Sequence, residues 1–136
     1  MRPFACLFGL SVLFAASTLS AVEYKPYPAA RITPEQWTAY HAQVRTEHAA
    51  SAQELREHKL VTYNDRATVT SYAFTQPGHP AHPAWITRRI VLGEKPTVDQ
   101  IGYFAGDEAP FAELFRQYQE TNKRMIEEMR KPQPAR

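Results

Sequence analysis

The first 21 residues have the composition of a secretory signal peptide, so they fix how much of the chain is left to fold. Arg2 precedes an uncharged apolar run from Phe4 to Ala16, and small residues follow up to Ala21. This run is shorter than the roughly 20 apolar residues that a membrane-spanning helix needs. We therefore expect cleavage after Ser20 or Ala21, with no stable membrane anchor afterwards. About 115 residues remain, which is enough for one small domain.

The position of the cysteine indicates the cellular compartment of the protein, and the charge balance indicates which classes of partner to expect. The one cysteine, Cys6, lies inside the leader, so the processed chain has no disulfide and no thiol ligand or nucleophile. A small exported domain without disulfides fits a bacterial periplasm better than an extracellular medium. Removing Arg2 from the 16 Lys and Arg residues leaves a near balance with the 14 Asp and Glu residues. Without a basic run, we expect no nucleic-acid partner.

The first half of the domain is predicted to be an arm followed by a long helix. Residues 22–32 contain Pro26 and Pro28, which favour an extended arm or edge strand. Thr33 and Gln36 form a capping-box pattern that predicts a helix start. No Gly or internal Pro interrupts the following residues, so the helix is predicted to run from about 34 to 58.

Four strands and a second helix are predicted after residue 59. β-branched and aromatic residues split by Asn64-Asp65 predict a hairpin with strands near 60–63 and 66–76. Residues 77–83 predict an irregular loop, followed by strands at 84–92 and 97–106. Asp107 then precedes a helix, and residues 132–136 are predicted to be a disordered tail. The apolar face of this last helix is predicted to contain Phe111, Leu114, Phe115, Tyr118, Met125 and Met129.

This order predicts a single α+β domain over residues 22–131. It consists of a long N-terminal helix, a four-stranded antiparallel meander and a C-terminal helix packed on the sheet. The arm–helix–meander order resembles a cystatin-type roll by topological analogy alone, and the last helix departs from that roll. Strand 84–92 is partly apolar on both faces, so either the two helices cover opposite faces or one face is a partner surface.

The loop at 77–83 is the sharpest candidate for function. Its three prolines reduce the freedom of the unfolded chain and predict an ordered, projecting recognition element. The expected partner-binding residues are His79, Pro80, His82, Pro83 and Trp85. A stiff connection without a binding role is the plainer interpretation. His79 and His82 supply only two of the three or four ligands that zinc requires, so we predict no metal site and no cofactor.

A second candidate is a ligand cavity between the sheet and the long helix. The residues expected to line it are Tyr40, His41, Tyr72, Arg88 and Tyr103. One of Arg88 and Arg89 must point toward a covered face, because adjacent strand residues face opposite sides. That guanidinium is expected to form an ion pair with Glu94, Asp99 or Glu108, or else to build an anion site with Arg66 and Tyr72 as helpers.

These observations favour a small periplasmic protein that works by binding rather than catalysis, such as an inhibitor or immunity-type protein. Its expected partner is another periplasmic or secreted protein, with a homo-oligomer left open. The alternatives are a small-ligand carrier or enzyme that uses the cavity, or a periplasmic metal-binding protein. No constellation of Ser, His and Asp typical of a hydrolase stands out in the sequence.

Overall fold

A computed structural model describes residues 29–132. The predicted leader, the start of the arm and residues 133–136 of the predicted tail lie outside this range. In chain order the elements are α1 (Pro34–His48), β1 (Gln53–Leu55), β2 (Leu60–Asp65), β3 (Thr70–Thr75), β4 (Ala84–Val91), β5 (Thr97–Phe104) and α2 (Glu108–Arg130). Short 3-10 turns occupy Ala49–Ser51 and Arg56–His58. The α+β class is therefore confirmed.

The sheet has five strands where four were predicted. All neighbours pair antiparallel, and the spatial order β1-β2-β3-β4-β5 follows the sequence. The additional strand, β1, lies inside the segment predicted to be helical and pairs with the start of β2. The meander is otherwise the predicted one, because each strand pairs with the next along the chain.

Helix α1 begins where the sequence predicted and ends much earlier. Thr33 and Gln36 form the capping box through reciprocal side-chain and backbone hydrogen bonds. The helix stops at His48, so the predicted extension to residue 58 is wrong. The chain turns there because Ser51 accepts a hydrogen bond from the Asn64 amide at 2.8 Å, which ties it to β2. Tertiary contacts outweigh helix propensity in this segment.

The hairpin turn lies later than predicted. Asn64 and Asp65 are paired residues of β2, and the turn occupies 66–69. The Asp65 carboxylate accepts hydrogen bonds from the Ala67 amide and the Thr68 hydroxyl, at 3.0 and 2.9 Å. Aspartate therefore initiates the turn with its side chain instead of occupying the turn centre.

The two helices cover opposite faces of the sheet, which decides between the two sequence-based alternatives. One buried cluster consists of Val44 of α1 with Tyr63, Phe74 and Trp85 of the sheet. The other buried cluster joins α2 to the opposite sheet face through Leu60, Ala81, Ala84, Ile86, Phe104, Phe111, Leu114 and Phe115. Alternate residues of β4 enter different clusters, as the period of a strand requires.

The end of the arm follows the edge of β5. Arg31 forms a parallel bridge with Phe104, and the Ile32 amide donates to the Phe104 carbonyl at 2.9 Å. The guanidinium of Arg31 also lies 4.5 Å from the centre of the Phe104 ring. The predicted extended arm is therefore confirmed over its described part, where it pairs with the last residue of β5.

Helix α2 contacts the sheet closely at Gly102. A Cβ at this position would lie 2.5 Å from the ring of Phe111 and 2.8 Å from that of Phe115, so only glycine leaves room for these rings. The predicted apolar face is correct except at its far end, where Met129 is 41% exposed. Neither helix in residues 29–132 combines the length and the apolarity that crossing a membrane requires.

The contact at Gly102 predicts the cost of truncating Phe115. Phe115 is 1% exposed, so Phe115→Ala should lower the free energy of unfolding by about 3–5 kcal/mol. Met129→Ala on the exposed part of the same helix is the matched control, with an expected change within about 0.5 kcal/mol. Urea unfolding followed by circular dichroism measures both. Equal effects of the two substitutions would contradict the observed packing.

Candidate functional site

The loop at 77–83 joins β3 to β4 and is held by its own hydrogen bonds. The His79 amide donates to the Gln76 carbonyl and the His82 amide to the His79 carbonyl, each at 3.0 Å. The Lys59 ammonium donates to the Gly78 carbonyl at 3.2 Å. Gly78 has a φ of 94°, a conformation that glycine adopts without strain. The loop is therefore a folded element rather than a loose connection.

Both histidines of the loop use a ring nitrogen inside the protein. His79 Nδ1 accepts a hydrogen bond from the Ala81 amide at 3.0 Å. His82 Nδ1 lies 2.9 Å from the Thr75 hydroxyl and 3.2 Å from the Thr75 carbonyl oxygen. Because a carbonyl only accepts, His82 must carry its proton on Nδ1 in that bond. These bonds anchor the loop to the end of β3.

The hydrogen bond of His79 opposes metal binding by this residue. A neutral His79 that accepts at Nδ1 has its proton on Nε2, so ligation through Nε2 would break its bond to Ala81. Within residues 29–132, no group of three or more His, Cys, Asp or Glu side chains is placed to hold a metal ion. The two loop histidines are thus explained by their structural bonds.

The five predicted partner-binding residues differ in their accessibility. Pro80 is exposed, whereas His79, His82 and Pro83 are partly buried. Trp85 is only 5% exposed, and it lies between Tyr40 and Tyr103, with ring centres 4.4 and 4.6 Å away. Its indole nitrogen has no hydrogen-bond partner in the described part of the chain. The accessible surface of the loop therefore centres on its prolines, and Trp85 belongs to the core beneath.

Two basic side chains, those of Lys59 and Arg31, lie near the 77–83 loop. Lys59 contacts the loop at Gly78, and the Arg31 guanidinium donates to the Gly106 carbonyl at 3.3 Å. The Ala105 amide donates to the Pro83 carbonyl at 2.8 Å, so the chain entering α2 lies directly beside the loop. Lys59 and Arg31 therefore lie near the exposed prolines, and Glu54 accepts a hydrogen bond from Gln76 at the start of the loop.

Four of the five predicted cavity residues do meet on the α1 face. His41 stacks on Phe74 at 4.5 Å and its Nε2 lies 3.1 Å from the Tyr63 hydroxyl. The other three are the partly buried tyrosines of α1, β3 and β5, namely Tyr40, Tyr72 and Tyr103. Their rings pack around Phe74 and Trp85, so they form the rim of an aromatic core on this face.

The fifth residue, Arg88, lies on the other side of the sheet. Its guanidinium donates to the Asn122 side-chain oxygen at 3.0 Å and lies 4.5 Å from the centre of the Tyr118 ring. The expected ion pair is wrong, because Arg88 has no carboxylate within 4.0 Å in residues 29–132. The covered arginine was correctly expected, yet its partners are an amide and an aromatic ring on α2.

Sequence reasoning missed the two amides behind Arg88. Gln100 is 9% exposed and Asn122 is 8% exposed. The Asn122 amide donates to the Gln100 side-chain oxygen, and Gln100 donates to the Phe115 carbonyl at 3.0 Å. A signal was present, since Gln100 alternates with Val98 and Phe104 on one strand face and Asn122 continues the apolar face of α2.

Comparisons with protein families, with curated proteins and with solved structures found no match for this chain in any of the three.

Three partly buried histidines, two of them in the loop, predict how the free energy of unfolding depends on pH. Burial lowers the pKa of His79, His82 and His41 below the ordinary value of 6.5. Between the lowered pKa and 6.5 the unfolded chain binds more protons than the folded chain, so stability falls as pH decreases through this window. Above 6.5 these groups should leave stability unchanged.

Urea unfolding midpoints measured from pH 7.5 downward test this, above the range in which carboxylates titrate. His79→Gln should reduce the loss of stability on acidification. His58→Gln is the control, because His58 is exposed and outside the loop, and it should leave the loss unchanged. An acid loss identical in wild type and His79→Gln would contradict a contribution from this histidine.

Proposed function

We propose that this protein is a small exported binding protein that acts in the periplasm through the surface of the 77–83 loop. The observation that carries the proposal is the set of hydrogen bonds that fix the loop while leaving Pro77 and Pro80 exposed. A preordered loop loses little conformational entropy when it docks, so more of the contact energy becomes affinity. The contacting residues would be the exposed prolines together with His79, His82 and Pro83.

The partner is proposed to be another periplasmic or secreted protein, in the manner of an inhibitor or an immunity protein. Lys59 and Arg31 lie near the loop and Glu54 lies at its start, so a complementary surface would present an apolar recess for the prolines with acidic groups opposite the two cations. Trp85 is buried, so its proposed role in binding is indirect: its ring stacks on Tyr40 and holds the start of β4, to which the loop is attached. The resemblance to a cystatin-type roll concerns the order of the elements alone and does not indicate a function.

The export part of the proposal predicts that the leader is removed. In protein isolated from its native host, the N-terminus should begin at Ala21 or Val22, because small residues precede these positions. Intact mass spectrometry of the isolated protein measures this directly. A mass near the 15.5 kDa of the full chain, with Met1 retained, would contradict cleavage.

The binding part of the proposal predicts a selective loss in the double variant Pro77→Ser and Pro80→Ser. Both prolines are exposed, so folding should be retained while the loop gains freedom that it must lose again on docking. Capture of the partner from a periplasmic extract, quantified by mass spectrometry, should decrease by at least about tenfold.

The matched control is Pro96→Ser in the turn between β4 and β5, at the opposite end of β4. It should leave capture unchanged. Partner capture that survives in the double variant would place the binding surface elsewhere on the molecule. Stoichiometric zinc binding lost in a His79→Gln, His82→Gln variant would instead support the metal-binding alternative.

A further inference from the structure

A pocket on the α2 face lies at the far end of the sheet from the loop. It has a volume of about 430 Å³ and opens beside the turn between β2 and β3. This volume lies within the range of sites that hold small molecules. Arg88 of β4 and Arg66 of the turn both line it, together with the polar side chains of Asn64 and Ser71.

Arg88 brings an uncompensated positive charge to this pocket. The guanidinium makes one directed hydrogen bond, to Asn122, and rests on the Tyr118 ring. An arginine carries five N–H donors in a planar fork, which suits bidentate recognition of a carboxylate. No acidic side chain within 4.0 Å uses these donors in the described residues. The other donors of Arg88 have no hydrogen-bond partner within residues 29–132, and Arg88 lines the pocket.

A buried chain of amides fixes the position of Arg88. Because a guanidinium only donates, the Asn122 oxygen must face Arg88, which directs the Asn122 amide nitrogen to the Gln100 oxygen. Gln100 in turn donates to the Phe115 carbonyl, which only accepts. Both amides therefore have a single allowed orientation. The network holds the arginine in place without neutralising it.

The acid in the pocket wall, Asp65, forms no ion pair with either arginine. Asp65 directs its two carboxylate oxygens to the Ala67 amide and the Thr68 hydroxyl, inside the turn. Arg66, on the same turn, has no carboxylate within 4.0 Å among residues 29–132. The pocket thus retains two cations, one partly buried and one exposed at its rim.

Three apolar side chains, Val69, Ile90 and Met125, form another part of the pocket wall. Ile90 and Met125 are partly buried, and Val69 is 39% exposed. Val69 has a φ of 51°, which is unusual for a β-branched residue and places a strained backbone at the edge of the pocket. A ligand that matches this wall needs an apolar body in addition to its negative charge.

We propose that this pocket binds a small organic carboxylate with an apolar tail. The carboxylate pairs with Arg88, Arg66 adds charge at the rim, and the tail lies against Ile90 and Met125. Inorganic phosphate or sulfate would use the cations and leave the apolar wall uncovered. The site is separate from the 77–83 loop, so it stands independently of the function proposed above.

Isothermal titration of the full chain with hexanoate tests the proposal, with 1-hexanol and inorganic phosphate as comparison probes. Hexanoate should bind with a Kd of about 1 mM or tighter, as its size allows, and each comparison probe should bind at least about tenfold more weakly. Amide chemical-shift changes in the wild-type protein should centre on Val69, Ser71 and Arg88. Absence of hexanoate binding, or equal affinity for phosphate, would overturn the proposal.

Variants of the neighbouring arginines provide a matched pair. Arg88→Gln should weaken hexanoate binding by at least about tenfold, because a charge-assisted pair is lost. Arg89→Gln is the control, since Arg89 is exposed on the opposite sheet face and should change affinity less than about twofold. If Arg88→Gln fails to fold, the exposed Arg66→Gln should still weaken binding by a few fold. Unchanged affinity in Arg66→Gln and folded Arg88→Gln would overturn the proposal.

Discussion

The sheet is buried on both faces, and this two-sided burial determines where the helices, the loop and the pocket can lie. Within β4, Ala84 and Ile86 face α2 while Trp85 between them faces α1, so one strand contributes to two separate cores. Phe74 occupies the same position on the neighbouring strand and is fully buried against rings from α1 and the sheet. Each helix covers one face, and the removal of either would expose apolar surface that the sheet alone cannot cover. The loop and the pocket are therefore held on a scaffold fixed from both sides.

Those elements whose signals are local could be predicted from the sequence. The capping box at Thr33 and Gln36 depends on residues three positions apart, and the structure forms both of its hydrogen bonds. The alternation in β4 and the apolar face of α2 express the periods of a strand and a helix, which are also local. The two-sided pattern of strand 84–92 allowed either helices on opposite faces or a partner surface on one face, and the structure has the helices. Here short-range physics and the final structure agree.

Two other differences, the end of α1 and the partner of Arg88, come from tertiary contacts. The composition of residues 49–58 favours a helix, yet the Asn64 amide binds Ser51 and Leu55 pairs with Leu60, which draws the segment into the sheet. A single sequence does not reveal such pairing, because either structure satisfies its propensities. The same reason explains the missed partner of Arg88. A carboxylate was the expected counterpart, but Asn122 on α2 reaches it from 34 positions away.

The two proposed sites share strand β4 but face different environments. Ala84 begins the strand beside the loop, and Arg88 lies four residues further on, roughly 13 Å along the strand. The loop is fixed by its own backbone hydrogen bonds, by its histidine side chains and by the Lys59 ammonium, and it leaves Pro77 and Pro80 exposed. The pocket is concave and keeps a guanidinium that its amide network orients but does not neutralise. A preordered loop suits a macromolecular partner, whereas a concave site with two basic side chains and an apolar wall suits a small organic anion. Because perturbations this far apart usually act independently, a change at either site should leave the chemistry of the other intact.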